Sequence, residues 1–338
     1  MKRNIRKAVL LGAMLTAATS LHAYDFLTGD LYFNIISEAD RTVEVTYKSL
    51  VASSQADYVV GDIEIPAHVI YANRSYTIVA VGQSAFRHCT GLTSVRIADT
   101  VTEIYDWAFH DCPALSEVTF PENLTTIGGG AFYDCSSLDG ISFADNLTTL
   151  RNWAFAGCTS LTSVALPDAV TAIGTGVFSG CTSLADVTTG NSIYFIGASA
   201  FRDCTSLTDA TLGSGMESLG DKVFQNCTSL RNLYCNSVVP PQCAGTLGAG
   251  IAQNATLHVP AGTAADYAQT SPWSDFLNIE EPGEQSGVSA IDAENGEVRI
   301  WSVSGENVYE GAADTLPALN PGIYIFRTQG RTAKVLIP

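Results

Sequence analysis

Apolar residues return along this chain with a fixed period. Phe86, Phe109, Phe132, Phe155, Phe178, Phe201 and Phe224 each follow the last by 23 residues. The same interval separates Cys89, Cys112, Cys135, Cys158, Cys181, Cys204 and Cys227, and then Leu92, Leu115, Leu138, Leu161, Leu184, Leu207 and Leu230. Self-similarity at such a period marks a repeat architecture. Within a unit, Val95, Val118, Ile141, Val164 and Val187, continued by Ala210 and Leu233, alternate with polar neighbours, as in Leu115-Ser116-Glu117-Val118-Thr119-Phe120. That alternation predicts a strand, which Pro121 or Pro167 ends. Ile104, Ile127, Leu150, Ile173, Ile196 and Leu219 form a further apolar column, whereas Ala108-Phe109 and Cys112 have the spacing of one helical turn. A unit this short cannot bury its own apolar face, so the copies must stack with their strands side by side. The expected fold is an α/β repeat solenoid with 23-residue coils, its seven full copies spanning roughly 29 Å at the usual strand spacing.

The unit Ala-Phe-x-x-Cys-x-x-Leu-x-x-Val-x-Ile-Pro, followed by Val-Thr-x-Ile-Gly, resembles the bacterial surface leucine-rich repeats of the BspA type over residues 81 to about 235. The resemblance implies an extracellular or surface-exposed protein that acts by binding other proteins or host components. The chain departs from the pattern at Thr189 and Cys235 in the Ile97 column, and at Tyr105 and Arg151 in the Gly82 column.

The flanks lack the period. Residues 24–80 hold alternating runs such as Thr42-Val43-Glu44-Val45-Thr46-Tyr47 and predict a small β cap, as the exposed end of a solenoid requires. Asn254 to Pro260 reads as a final strand and Ala264 to Gln269 as a short helix, so the solenoid with its second cap is expected over 81–280. Residues 281–287 are charged, carry Pro and Gly and contain no apolar residue, which predicts a linker. The remaining segment, 288–338, has strand-like runs at Val298 to Val303 and Gly322 to Phe326 and ends Lys334-Val335-Leu336-Ile337-Pro338. It resembles the C-terminal sorting domain of type IX secretion in its Ser304-Gly305 turn, Pro321-Gly322-Ile323-Tyr324 and Lys-Val ending. The resemblance implies a partner in the export machinery; an ordinary small β domain is the other reading.

At the opposite end, Lys2, Arg3, Arg6 and Lys7 precede an apolar run from Ala8 to Ala18, and Ser20-Leu21-His22-Ala23 offers a small-residue cleavage site. Residues 1–23 therefore read as a secretory signal peptide, too short in its apolar run for the roughly 20 residues of a membrane span. No transmembrane span is expected after its removal. The chain carries 34 acidic and 17 basic residues, a net charge of −17; without those four N-terminal cations 13 basic residues remain and the charge becomes −21. Such a surface repels nucleic acid and anionic lipid.

Candidate chemistry is sparse, and no cofactor is expected. The histidines beyond the leader are His68, His88, His110 and His258, none in a nucleophile elbow, and neither a phosphate loop nor His-Glu-x-x-His occurs. The cysteine ladder reads as buried filling, since stacked residues about 4.8 Å apart have parallel Cβ vectors unsuited to bridging. Cys235 and Cys243, eight apart across Val239-Pro240-Pro241, are the candidate disulfide. His88, Asp111 and Asp134 share a column beside His110, but solvated surface is the expected reading and no metal is assigned. The aromatics outside the core columns, Tyr105, Trp107, Trp153, Tyr194, Phe195 and Tyr234, are the candidate ligand contacts. The expected function is an exported, non-catalytic, adhesin-like module that recognises extracellular protein or glycan through an extended face. The alternatives are a carboxylate-based hydrolase on a solenoid scaffold and a purely structural surface protein.

Overall fold

The computed structural model describes residues 24–47, 59–282, 297–302, 307–312, 322–328 and 331–337. The expected signal peptide, most of the expected linker and the Ser304-Gly305 turn lie outside the described residues. Each repeat is one coil with three sides. On the first side, strands centred on the valine column, among them Gly91–Ile97, Glu117–Thr119, Ser163–Ala165, Asp186–Thr188, Asp209–Leu212 and Asn232–Cys235, run parallel. Their registers pair Val95 with Val118, and Val164 with Val187, as the 23-residue period requires.

The second side is built from two-residue strands, Glu103–Ile104, Thr126–Ile127, Thr149–Leu150, Ala172–Ile173, Phe195–Ile196 and Ser218–Leu219. Here too the pairing is parallel, Ile127 lying between Ile104 and Leu150. The third side is a turn in every coil, yet it is laddered as well: the N–H groups of Trp107, Phe109 and Asp111 donate to the carbonyls of Gly129, Ala131 and Tyr133 at 2.9, 2.7 and 2.7 Å. The alternate N–H groups of this side, those of Ala108 and His110, donate within the coil to Tyr105 and Trp107, so between-coil and within-coil bonds together satisfy the turn.

Inside, the seven phenylalanines form one row with no exposed surface. Their ring centroids lie 5.0 to 5.7 Å apart with planes within 11° of parallel. The cysteine ladder beside them is equally buried, and each thiol from Cys112 to Cys227 donates to the carbonyl of the phenylalanine 26 residues earlier, at 3.0 to 3.3 Å. Burial pushes the Cys135 and Cys158 thiols up, and that of Cys181 up to about 12, so these groups stay protonated.

The architecture is a β-solenoid, which corrects the expected α/β class. Among the described residues the α-helices are Ile251–Asn254 and Ala264–Gln269, both in the C-terminal cap. The turn over Ala108 to Cys112 does not become a helix because Trp107 and Asp111, with φ of 61° and 56°, bracket it in the left-handed region. The first sheet is also interrupted: no strand forms around Ile141, and the ladder divides there into a three-stranded and a six-stranded sheet. Gly140 occupies the position of Glu117 one coil earlier, and a glycine has no side chain to pack on a pleated face.

Coiling begins before residue 81. Val60–Ile65 pairs in parallel with Gly91–Ile97, and Arg74–Val81 with Glu103–Ile104, so residues expected in a cap already extend both sheets. Thr42–Thr46 adds to the second of these in parallel, and the hairpin of Phe26–Thr28 and Leu31–Ser37 closes that end. At the other end Thr256–His258 and Asn278–Glu280 continue the first sheet, in line with the expected final strand. Glu281 belongs to this cap rather than to a linker, because its carboxylate accepts the N–H groups of Gly262 and Ala264 at 2.9 and 2.6 Å. In the C-terminal segment Asn307–Ala312, Glu297–Ser302, Gly322–Thr328 and Arg331–Ile337 pair antiparallel in that order. No helix of the described residues is long and apolar enough to cross a membrane.

A candidate binding edge between the second sheet and the turns

Where the second sheet runs into the turns, one position per coil has a left-handed backbone: Ser84, Trp107, Gly130, Trp153, Gly176, Ser199 and Lys222, with φ between 57° and 63°. Glycine and small polar residues suit such a site, whereas a bulky side chain there is an outlier that costs about 1 kcal/mol or more. The two tryptophans occur in alternate coils and are followed one coil later by glycine. A Cβ on Gly130 would run into Cζ3 and Cε3 of Trp107, and one on Gly176 would meet the Trp153 ring at 3.4 Å. Each indole therefore rests on the bare backbone of the next coil.

The two residues preceding each tryptophan follow the same alternation. Tyr105-Asp106 is succeeded by Gly128-Gly129, and Arg151-Asn152 by Gly174-Thr175. A Cβ on Gly128 would fall 2.5 Å from the Asp106 nitrogen, and Gly197 and Gly220 further along the column approach the backbone of the coil before them as closely. Asp106 Oδ1 accepts the N–H of Gly129 at 2.7 Å, and Asn152 Oδ1 that of Thr175 at 2.8 Å, tying each carboxylate or amide to the coil beyond. Arg151 reaches within 4.0 Å of Asp106. Beside it opens a groove of about 380 Å³, lined among others by Thr148, Arg151, Asn152, Thr171, Ala172 and Phe195. Phe195 stands up as its far wall because the residue paired with it, one coil earlier, is only Ala172.

The six candidate aromatics do not form one patch. Trp107 and Trp153 are 36% and 39% exposed on this edge, with Tyr105 half-buried beside Trp107. Tyr194 and Phe195, 48% and 36% exposed, lie further along the second sheet. Tyr234 is on the first sheet, stacked on His258 at 4.4 Å, and belongs to a different surface. There His258 Nε2 lies 3.1 Å from Asn232 Oδ1, and Asn232 donates to Asp209 at 2.8 Å. Hydrogen bonds from Thr208 and Asn232 hold the Asp209 carboxyl below its usual range, while burial and then Asp209 itself raise that of Asp186 in the neighbouring strand. This carboxylate pair sits on an open sheet face.

The turn column expected to be solvated is partly paired. His88 Nδ1 and Asp111 Oδ2 are 2.7 Å apart, and burial, followed by the Asp111 charge, raises the Asp134 carboxyl. His110 stacks on Tyr133 at 5.3 Å and meets the Trp107 ring edge-on at 5.1 Å, and burial, with Arg87 and His88 adding, lowers its pKa. Cys235 and Cys243 both carry free thiols here. They sit on strands of different sheets: Cys235 pairs with Leu212 in the first sheet and Cys243 with Leu219 in the second. The Tyr267 hydroxyl donates to Cys235 Sγ at 3.2 Å, while Cys243 Sγ faces the Pro241 carbonyl at 3.8 Å.

Sequence reasoning singled out the tryptophans but missed Asn152 and the groove. The available signal was the glycine at 130 and 176, in register with the tryptophans at 107 and 153.

The profile described as the BspA type leucine rich repeat region matches residues 68–184 and 148–240, in six copies. Among curated proteins none matches the chain. Of solved structures, a leucine-rich repeat protein from Bacteroides ovatus is 22% identical with a TM-score of 0.49, covering 76% of this chain and 76% of its own. A leucine rich cell surface protein from Faecalibacterium prausnitzii is 22% identical with a TM-score of 0.48, covering 79% and 97%. A leucine rich repeat protein from T. pallidum is 25% identical with a TM-score of 0.44, covering 66% and 85%.

Proposed function

The chain belongs to the BspA type leucine rich repeat family, and from that premise we propose that it is an exported, non-catalytic binding module of the bacterial surface. The observation that carries this reading is the aromatic edge, where two tryptophans are held part-exposed at backbone positions that suit glycine. A scaffold that only covered its neighbouring coils would gain most by burying those rings fully, yet more than a third of each stays in water at a strained backbone position. The partner is an extracellular protein or glycan. Binding is tested by probing an array of both classes with the chain from Tyr24 onward; saturable binding to a component supports the reading, and none at micromolar protein moves it to a structural surface role.

Export would be served by residues 1–23 as the leader and 288–338 as the second address, since a leader alone takes a chain only across the inner membrane. The charge of −17 fits a soluble surface protein that avoids nucleic acid. A hydrolytic reading would centre on Asp186 and Asp209, the carboxylates whose environments push them in opposite directions, and substitution of either by Asn would then abolish turnover of a substrate.

A further inference from the structure

Three features of the aromatic edge bear on the chemistry of its partner. The indoles lie flat. A Cβ on Gly176 would sit 3.4 Å from Nε1 of Trp153 and 3.5 Å from both Cδ2 and Cε2, near-equal distances that only a position over the ring plane gives. One face of the ring therefore rests on glycine backbone, and the part-exposed surface is the other face. The spacing is also regular. Successive phenylalanine centroids in these coils are 5.1 Å apart, which measures the rise of one coil, so Trp107 and Trp153, two coils apart, are flat platforms about 10 Å apart. The surroundings of the two rings differ: Trp107 meets His110 edge-on at 5.1 Å and Tyr133 at 6.1 Å, whereas Arg151 and Asn152, which precede Trp153, line the groove beyond with Thr148 and Thr171.

Resting on the binding-module reading above, we infer that this edge is a carbohydrate platform that takes a neutral, extended glycan chain lying along the solenoid axis. A pyranose ring presents a flat face of C–H groups that matches an indole face, and hydroxyls around its rim that match amides and hydroxyls. An extended β-linked chain advances by roughly 5 Å per sugar, close to the rise of one coil, so alternate sugars fall on Trp107 and Trp153. The sugars beyond Trp153 enter the groove. There the Asn152 amide nitrogen donates to them, its oxygen being held by Thr175, and Phe195 closes the far end.

A protein partner fits this edge less well, because an aromatic hot spot needs a surround that excludes water, and the groove beyond Trp153 is lined by Thr148, Arg151, Asn152 and Thr171. Polyanionic glycans fit poorly too: the chain carries a charge of −17, and Arg151, the cation of the groove, is within 4.0 Å of Asp106.

The test uses the full chain with cellohexaose, xylohexaose and mannohexaose as neutral probes and a heparin hexasaccharide as the anionic one, followed by calorimetry and tryptophan emission. At least one neutral probe is expected to bind and to change the emission. Trp153→Ala and Trp107→Ala should each weaken that binding about ten-fold, equivalent to about 1.4 kcal/mol. Trp153→Phe should retain most of it, and Tyr234→Phe on the other sheet all of it, with circular dichroism confirming that each variant folds. The inference is overturned if none of the neutral probes binds at millimolar concentration, if heparin alone binds, or if the Trp107→Ala, Trp153→Ala double variant binds as the parent does. Saturable binding to an extracellular protein without glycan binding would sink the carbohydrate platform and leave the binding module standing; absence of both would sink both.

Discussion

Truncating Phe155 to alanine tests whether the stacked row holds the solenoid together. The ring is fully buried and packs face to face with Phe132 at 5.1 Å and Phe178 at 5.7 Å, and edge-on with Phe143 at 5.7 Å. Removing a buried phenylalanine costs about 3–5 kcal/mol through lost transfer energy and the cavity left behind. Three ring partners, each worth about 0.5–1.5 kcal/mol beyond burial, place Phe155→Ala at the upper end of that range. Phe224, at the end of the row, stacks on Phe201 at 5.6 Å, which places Phe224→Ala at the lower end, about 3 kcal/mol. Coils contact only their neighbours, so a mid-row cavity should also lower the cooperativity of unfolding. Urea titrations followed by far-ultraviolet circular dichroism give both the midpoint and the slope m. A loss below about 2 kcal/mol for Phe155→Ala, or a larger loss for Phe224→Ala, would refute the stacked-row account.

The buried thiols of the 23-residue series should resist iodoacetamide at pH 8 until denaturant is added, with half-buried Cys243 the first to react; fast labelling of several in native buffer, read by mass spectrometry, contradicts the ladder. Glu281 has its pKa lowered by the N–H groups of Gly262 and Ala264, so its stabilising effect is full above its ordinary value and is lost as pH falls through the lower folded one. Glu281→Gln should lower Tm at pH 7 and lose its effect in acid, and an equal Tm shift at both pH values contradicts this. Deleting residues 288–338 should leave the main unfolding transition nearly unchanged and trap the protein in the periplasm; surface display as before, read by cell fractionation, would return the tail to an ordinary β domain.

Much of the fold was legible because a repeat states its own register. The phenylalanine, cysteine and leucine columns predicted which residues stack, and the parallel ladders place them 23 apart. The helical expectation failed because i, i+3 and i, i+4 spacing is shared by a helix and by a turn with left-handed residues at both ends. The early coil was not legible because the strands Val60–Ile65 and Arg74–Val81 keep the coil path while an inserted strand, His68–Tyr71, breaks the sequence period.

The sequence by itself determined the period, the inward columns and the exposed aromatic candidates, since burial at a fixed interval leaves its mark on composition at that interval. The period also puts Trp107 and Trp153, 46 residues apart, in one column, whereas tertiary structure alone decided that Phe195 stands at the groove of that edge and Tyr234 on another sheet. The reason is that a coil turns its sides in different directions, so which columns face one surface depends on where the chain bends. Tertiary structure likewise decided that Cys235 and Cys243, eight residues apart, lie on strands of different sheets, a fact no spacing encodes.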